Sequence, residues 1–339
     1  MRASLLADTI KNRITAGINR PTYITGSPGL GKTQIVRQIA HDMGIDFMTI
    51  HAPLMQPEDL GMPVVNTSRD GVKFVVPTEK FPLVGSDCPD RGILLIDELP
   101  QADNSIQKTM ANLMQEREIH GQHLKPGWTI IATGNRAGDR AGANRILSHL
   151  MNRMTTLQFD AHLDDWCNWY MSQTEFRFRP EGMSFLRFRP GLLSDFNPQR
   201  DVNPTPRAWV EGVFAAMGNV PAEAELEVFT GDVGEGAAAE FIGYLRIFRT
   251  LPDPDKVIAS PDMHPVPTEG ATLYALSGAL AQRATVENFE RVLRYGMRMP
   301  PEFLVIIVRD ATKLTPKLVQ TKAFVTWAQG SGRKLLHDR

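Results

Sequence analysis

The residues from Gly26 to Thr33 have the types and spacing of a loop that binds the phosphates of a nucleotide. The pattern is GxxxxGK followed by Ser or Thr. Its glycines let the backbone wrap around phosphate groups, and its N–H groups together with a helix start favour negative charge. Lys32 supplies a cation for the β- and γ-phosphates, and Thr33 supplies a hydroxyl for Mg²⁺. The expected nucleotide-binding residues are Gly26, Ser27, Pro28, Gly29, Leu30, Gly31, Lys32, Thr33 and Gln34.

An apolar run at residues 93–96 ends in two acids, Asp97 and Glu98. Such a run is typical of a buried central strand in a parallel sheet, where the carboxyl end faces the ligand. We expect Asp97 to hold Mg²⁺ together with Thr33, and Glu98 to orient and deprotonate an attacking water. A solvated strand end is the alternative for an isolated acidic pair. The phosphate-binding loop earlier in the chain favours the catalytic interpretation.

Asn135 follows the next apolar run, residues 129–133, after one glycine. Its amide offers both a donor and an acceptor, so it could touch the attacking water and the γ-phosphate at once. A turn-forming asparagine is the alternative, and residue type alone favours it.

These motifs together resemble those of the MoxR-type AAA+ ATPases, whose relatives include RavA, CbbQ and GvpN. The resemblance covers about residues 5–215. It implies Mg-ATP as the ligand, a Walker B motif ending at Asp97 and Glu98, and sensor 1 at Asn135. A further segment looks like the family's entry to its helix-2 insert, and it reads Gln56-Pro57-Glu58-Asp59-Leu60-Gly61.

The same resemblance implies roles for two arginines that spacing alone does not assign. Arg153 matches the place of the arginine finger, which reaches the γ-phosphate of a neighbouring subunit. Arg207 looks like sensor 2, which contacts the nucleotide of its own subunit from the second domain. A finger contributes about 10³ to 10⁵ in rate in GTPase systems, so an isolated subunit is expected to be slow. Nearby alternatives for the finger are Arg136, Arg140 and Arg145.

Short β-type runs that alternate with helical stretches must position these residues. One helix is clear, because an apolar stripe runs from Ile35 to Met43 and Gly44 provides a stop. The alternation predicts an α/β fold, a P-loop NTPase (AAA+) core with a parallel sheet flanked by helices. The predicted strands are residues 22–25, 47–50, 93–96, 129–133 and, more weakly, 155–159.

Two segments inside this pattern are predicted to be hairpin inserts. The first, about residues 62–78, turns at Asp70-Gly71, a strong hairpin signal. The second, about residues 117–129, turns either at residues 120–122 or at residues 125–127. The resemblance relates this second hairpin to the family's insert before sensor 1.

The strand signal fades after residue 160. We therefore expect the core at residues 1–160, followed by a linker and a mostly helical lid domain at residues 161–339. The last helix is predicted to begin with Thr315 as its N-cap and Pro316 in its first turn, and to stop at Gly330. Residues 252–270 hold five prolines and are predicted to form a surface loop.

Two further patterns each allow more than one interpretation. The run from His120 to His123 offers two imidazoles, but without an acid or cysteine at metal spacing an exposed hairpin is favoured over a zinc site. Residues 185–189, Phe-Leu-Arg-Phe-Arg, could stack on single-stranded nucleic acid or form an amphipathic edge strand. The near-neutral chain favours the strand.

Composition and charge set the class of protein. With 42% hydrophobic and 22% charged residues and a net charge of -1, the 339-residue chain is an ordinary globular sequence and not an obvious nucleic-acid binder. Its two cysteines, Cys88 and Cys167, fit no metal pattern and are expected to be reduced. Neither a signal peptide nor a membrane-spanning run is recognised, so we expect a cytoplasmic protein without a membrane partner.

These observations favour a homo-oligomeric ring, expected to be a hexamer, in which Mg-ATP hydrolysis between subunits remodels a protein partner. The resemblance suggests a partner with a von Willebrand factor A domain. A nucleic-acid motor or loader is the alternative, against which the few positive charges in the predicted hairpins argue. A nucleotide-gated adaptor is a third possibility, and Glu98 counts against it because a pure switch needs no water-activating carboxylate.

Overall fold

The computed structural model describes residues 1–66, 71–139, 146, 148–330 and 332–333. The chain divides into two compact units. Unit 1 comprises Met1–His162 together with Phe196–Asp201. Unit 2 comprises Leu163–Asp195 together with the described residues from Val202 onward.

Unit 1 alternates strands with helices along most of its length. In chain order its elements are α1 (Ala3–Thr15), β1 (Thr22–Thr25), α2 (Lys32–Met43), β2 (Asp46–His51), β3 (Met62–Asn66), β4 (Gly71–Val75), β5 (Arg91–Asp97), α3 (Asn104–Glu116), β6 (Glu118–Ile119), β7 (Gln122–His123), β8 (Gly127–Gly134), α4 (Ser148–Met151) and β9 (Thr155–Gln158).

A five-stranded sheet forms the centre of unit 1, in the order β2-β5-β8-β1-β9. All four neighbouring pairs are parallel. The predicted α/β fold with a parallel sheet flanked by helices is therefore confirmed. Each of the five predicted β-type runs coincides with one of these strands to within two residues at either end.

The two faces of this sheet are covered by different helices, because side chains alternate along β5. Leu94 and Ile96 pack in a cluster with Met110 of α3. Ile93 and Leu95 pack in a second cluster that contains residues of α1 and α2. A strand that is buried on both faces needs apolar residues at every position, which explains the continuous run at residues 93–96.

Two antiparallel hairpins leave the sheet at the predicted places. β3 pairs with β4, and Met62 lies opposite Val75. Asp70 of the predicted turn lies outside the described residues. β6 pairs with β7, and this hairpin turns at His120 and Gly121, the first of the two predicted positions. Both turn residues have positive φ, 49° and 77°.

Unit 2 is built from helices, and the predicted helical C-terminal part is confirmed. Aromatic rings fill part of its core, where Phe185 lies 5.6 Å from Trp209 and 5.0 Å from Phe241 between ring centroids. No helix among the described residues is long and apolar enough to cross a membrane. The helices are α5 (Leu163–Ser172), α6 (Pro180–Phe188), a π-helical segment (Ala208–Phe214), α7 (Glu225–Val233), α8 (Glu235–Arg249), α9 (Pro254–Ala259), α10 (Gly270–Arg283), α11 (Phe289–Gly296), α12 (Pro301–Leu314) and α13 (Lys322–Gln329).

The favoured edge strand at residues 185–189 is wrong. Four of these residues belong to α6, which begins with Pro180 in its first turn, where the missing N–H costs nothing. Phe185 and Arg187 are buried in the helix. A short alternation of aromatic and basic residues thus mimicked a strand, because a five-residue window covers too little of the helical period.

The predicted loop at residues 252–270 is wrong in part, since it contains α9. The Asp253 side chain accepts a hydrogen bond from the Asp255 N–H at 3.0 Å and so caps the helix. Pro254 occupies its first position, and Val257 and Ile258 are buried. The other four prolines lie outside the helix, which lets it fold in a proline-rich segment.

The predicted start of the last helix is also wrong. The chain forms a 3₁₀ turn at Pro316–Gln320, and α13 begins only after Thr321. The Thr321 hydroxyl accepts a hydrogen bond from the Phe324 N–H at 3.2 Å. Thr315 and Thr321 both precede helical sequence, and Thr321 is the residue that caps the helix.

Candidate nucleotide-binding site

The loop between β1 and α2 is shaped by glycines. A Cβ atom on Gly26 would lie 2.6 Å from the carbonyl oxygen of Phe159, so no larger residue fits there without a shift of the backbone. Gly31 adopts φ 84° directly before α2, a conformation that glycine enters at little cost. The predicted phosphate-binding loop therefore has a backbone that its sequence specifies, and it runs into the first turn of a helix.

Lys32 joins this loop to the end of the neighbouring strand. Its ammonium group donates to the carbonyl oxygens of Gly26 and Ser27 at 2.8 and 2.9 Å. It also donates to Oδ1 of Asn135 at 3.0 Å. Two predicted site residues that are far apart in the sequence thus meet through one hydrogen bond.

Asp97 accepts hydrogen bonds from two hydroxyl groups. Thr33 Oγ1 donates to its Oδ2 at 2.8 Å, and Thr133 Oγ1 donates to its Oδ1. The Asp97 side chain is largely buried at the carboxyl end of β5. The predicted pair of metal ligands, Thr33 and Asp97, is therefore in direct contact.

Glu98 leaves the sheet in an uncommon backbone conformation. It has φ 55° and ψ 37° and is followed by a 3₁₀ turn, Leu99–Gln101. For a residue other than glycine the left-handed conformation costs about 1 to 2 kcal/mol. The Glu98 N–H donates to Thr133 Oγ1 at 3.2 Å, and the side chain is exposed. Its carboxylate is thus accessible next to Asp97.

The other residues of the predicted loop differ in their exposure. Ser27 and Leu30 are buried, and Pro28, Gly29 and Thr33 are half-buried. Gln34 is exposed on the first turn of α2.

Arg153 does not join these residues within unit 1. It lies two residues before β9, whereas the phosphate-binding loop comes directly after β1. Thr155 pairs in register with Thr22. The four residues of β1 span about 13 Å at about 3.3 Å each. Arg153 and the loop therefore lie at opposite ends of neighbouring parallel strands. Arg20, at the same end as Arg153, donates to the backbone oxygens of Asn152 and Met154 at 2.7 and 3.1 Å.

Of the three alternatives to Arg153, only Arg136 lies among the described residues. Arg136 pairs with Asp160 and also donates to the Phe159 carbonyl oxygen at 3.3 Å. Arg140 and Arg145 lie outside the described residues. Arg207 belongs to unit 2, where its exposed guanidinium lies 4.0 Å from Glu211 one helical turn away.

The donor set suits Mg-ATP. Backbone N–H groups at a helix start and the Lys32 ammonium group match phosphate oxygens, and the Thr33 hydroxyl with the Asp97 carboxylate is an oxygen set that Mg²⁺ prefers. Lys32, Thr33, Asp97 and Asn135 would hold the phosphates and the metal.

Comparison with known proteins identifies this part of the chain. Residues 22–159 match the family described as "ATPase family associated with various cellular activities (AAA)". Residues 22–159 form an AAA ATPase domain. The AAA domain begins at the first residue of β1 and ends one residue after β9. No curated protein matches the sequence.

Solved structures with a similar arrangement share little sequence with this chain. A mutant of RuvB from Thermotoga maritima is 16% identical, covers 81% of this chain and 79% of its own, and has a TM-score of 0.41. NtrX from Brucella abortus, solved with ADP, is 17% identical, covers 98% of this chain and 68% of its own, and has a TM-score of 0.41.

Two residues of the AAA domain were missed in the sequence. Thr133 contacts both acids, and His51 pairs with Asp97 in the sheet with its Nδ1 3.8 Å from Asp97 Oδ2. Each stands at the carboxyl end of its strand. The signal that could have found them is the expectation that parallel strands end at one edge of the sheet.

Proposed function

We propose that this chain is a MoxR-type AAA+ ATPase that forms a hexameric ring and uses Mg-ATP hydrolysis to remodel or activate a protein partner. One observation carries the proposal. Lys32, Thr33, Asp97 and Asn135 meet at the carboxyl end of the sheet, while Arg153 lies at the opposite end.

Each side chain at the carboxyl end has a chemical task in hydrolysis. Lys32 balances charge on the β- and γ-phosphates, and Asn135 orients the attacking water and the γ-phosphate. Glu98 accepts a proton from that water as a general base. Thr33 and Asp97 would hold Mg²⁺, and the ion would supply charge neutralisation for the phosphates.

The position of Arg153 supports an assembly in which subunits share sites. A guanidinium group stabilises the charge that develops on the transferred phosphoryl group, provided that it reaches this group. In its own subunit Arg153 is separated from the loop by the length of β1. A neighbouring copy can present it across an interface, and a repeated head-to-tail interface of this kind closes into a ring.

The hairpin β3–β4 supports a role in contacting a partner. Val65 is 74% exposed and Val72 is 64% exposed, and these two residues pair with each other across the hairpin. Exposed apolar groups of this kind mark protein interaction sites. In our proposal this hairpin and β6–β7 face the client, which carries a von Willebrand factor A domain, and Arg207 senses the nucleotide from the lid.

Two substitutions at the loop and the acid test the ATPase function. Lys32→Ala should reduce ATP affinity strongly, because it removes the cation of the phosphate site. Glu98→Gln should bind ATP within about twofold of the unchanged chain and lose at least 100-fold in turnover, as expected for a general base. Binding is measured with a fluorescent ATP analogue and turnover by phosphate release.

The same two variants also test ring assembly and binding of the client. Glu98→Gln with Mg-ATP should sediment as a hexamer and retain the client in a pull-down, whereas Lys32→Ala should do neither. Unchanged hydrolysis in Glu98→Gln defeats the assigned mechanism. A hydrolysing chain that stays monomeric at all ATP concentrations defeats the ring.

A further inference from the structure

The buried hydroxyl of Thr133 makes hydrogen bonds with both acidic residues of the candidate site, with the side chain of one and the backbone of the other. The hydroxyl donates to Asp97 Oδ1 and accepts from the Glu98 N–H at 3.2 Å. The residue has no exposed surface. Its contacts thus fall on two successive residues that have different expected tasks.

The sheet register creates this contact. Ile96 of β5 pairs with Ala132 of β8, so Asp97 and Thr133 are the next residues along two neighbouring parallel strands. Both stand where their strands reach the carboxyl edge of the sheet. A threonine at this position therefore points its hydroxyl at the acid beside it, over a distance that the backbone hydrogen bonds of the sheet hold constant.

The two hydrogen bonds have different effects on the two acids. The bond to Oδ1 fixes the rotation of the Asp97 carboxylate, so that Oδ2 is turned toward Thr33. The bond from the Glu98 N–H restrains a backbone that the left-handed region disfavours. A hydroxyl can serve both because it has one hydrogen to donate and lone pairs to accept.

We propose that Thr133 is a positioning residue that orients the Asp97 carboxylate for the metal and holds Glu98 in place for the attacking water. This inference rests on the roles proposed above for Asp97 and Glu98. Valine has the shape of threonine but would leave the Asp97 oxygen and the Glu98 N–H without a buried partner, so packing alone does not explain the residue.

The test compares Thr133→Val and Thr133→Ser with the unchanged full chain. Thr133→Val should lower kcat on the order of 10- to 100-fold and raise the Mg²⁺ concentration needed for half-maximal binding of a fluorescent ATP analogue by a similar factor, as loss of a partner behind a metal ligand does. Binding of that analogue without Mg²⁺ should change less than about twofold. Thr133→Ser, which keeps the hydroxyl, should restore most of both quantities.

Thr129→Val is the matched control, because Thr129 lies on the same strand four residues before the site. It should leave kcat and the Mg²⁺ dependence unchanged. If Thr133→Val is insoluble, Thr133→Ala removes the same hydroxyl with a smaller side chain.

Three outcomes separate the possibilities. A folded Thr133→Val or Thr133→Ala variant with the Mg²⁺ dependence and kcat of the unchanged chain overturns the inference. A loss of analogue binding that is equal with and without Mg²⁺ also overturns it, since that indicates a structural role only. If the unchanged chain itself does not hydrolyse ATP, the proposed function fails instead.

Discussion

Asp97 is the residue at which separate parts of the chain meet. Thr33 and Thr133, 64 and 36 positions away in the sequence, donate to its two carboxylate oxygens. The sequence predicted Asp97 and Thr33, because a phosphate-binding loop and an acid after an apolar strand are local patterns. It did not predict Thr133, because a hydroxyl within a strand gains a role only when the register of two strands is known.

In unit 2, the role of Arg187 likewise could not be predicted from the sequence. Its guanidinium donates to both carboxylate oxygens of Asp310, one of them at 2.8 Å, and their side chains are only 4% and 1% exposed. The two residues are 123 positions apart. No local pattern marks Arg187 as the partner of Asp310.

Cys167 lies beside this pair. Burial raises the pKa of its thiol to about 11, so this thiol stays protonated at neutral pH.

Replacing Arg187 alone should destabilise unit 2. Arg187→Met leaves the Asp310 carboxylate buried without its main partner, and we expect a loss of about 3 to 5 kcal/mol in the free energy of unfolding. Urea denaturation monitored by tryptophan fluorescence measures it. The double variant Arg187→Met with Asp310→Leu should recover at least half of the loss. An equal or larger loss in the double variant would show that an unpaired Asp310 carboxylate is not the cause of the destabilisation.

At the scale of elements, the two hairpins of unit 1 are joined to each other. The His120 ring stacks on the Phe74 ring with centroids 4.3 Å apart and 14° between the planes. The Gln122 side chain donates to the Phe74 carbonyl oxygen at 3.1 Å. The hairpin β6–β7 therefore supports β4, and no local pattern in either insert predicts this contact between them.

Removing the stacking should loosen β3–β4 without affecting the ATP site. His120→Asn suits the positive φ at this position but lacks the aromatic ring. An aromatic pair contributes about 0.5 to 1.5 kcal/mol, so amide exchange in β4 should become roughly 2- to 10-fold faster. Hydrogen exchange with mass spectrometry measures it.

His123→Ala is the control for this experiment, because His123 lies on the same hairpin and faces Glu118 at 3.5 Å. It should leave exchange in β4 unchanged. Equal exchange in His120→Asn and the unchanged chain would show that the stacking does not hold the hairpin.

Element boundaries were harder to predict than element types. The five strands were recognised because each has a continuous apolar or β-branched run. The predictions fail at α6 and α9, which each begin with proline in the first turn, and at α13, where Pro316 begins a 3₁₀ turn ahead of the helix. Proline is compatible with a loop and with the first turn of a helix, so its presence alone does not distinguish the two.

For the whole molecule, we propose that two copies of the chain share one active site. Arg153 and the phosphate-binding loop lie at opposite ends of neighbouring parallel strands in unit 1. No single subunit brings them together across the length of β1. The sequence order of the motifs did not reveal this separation, but the parallel pairing of β1 with β9 does.

Mixing two inactive variants tests whether the site is shared. Arg153→Ala keeps its acids but lacks the finger, and Glu98→Gln keeps the finger but lacks the general base. At equal amounts and random assembly, about one quarter of the interfaces join an intact loop and Glu98 to an intact Arg153. We expect ATPase activity of about one quarter of the unchanged chain, highest near a ratio of one to one.

The matched control pairs Arg153→Ala with a chain that carries both Arg153→Ala and Glu98→Gln, and it should show no gain at any ratio. Phosphate release over a series of mixing ratios is the measurement, with co-sedimentation confirming mixed assemblies. A peak near equal amounts is the predicted result. Mixed assemblies that bind ATP but stay inactive at every ratio would contradict the shared site.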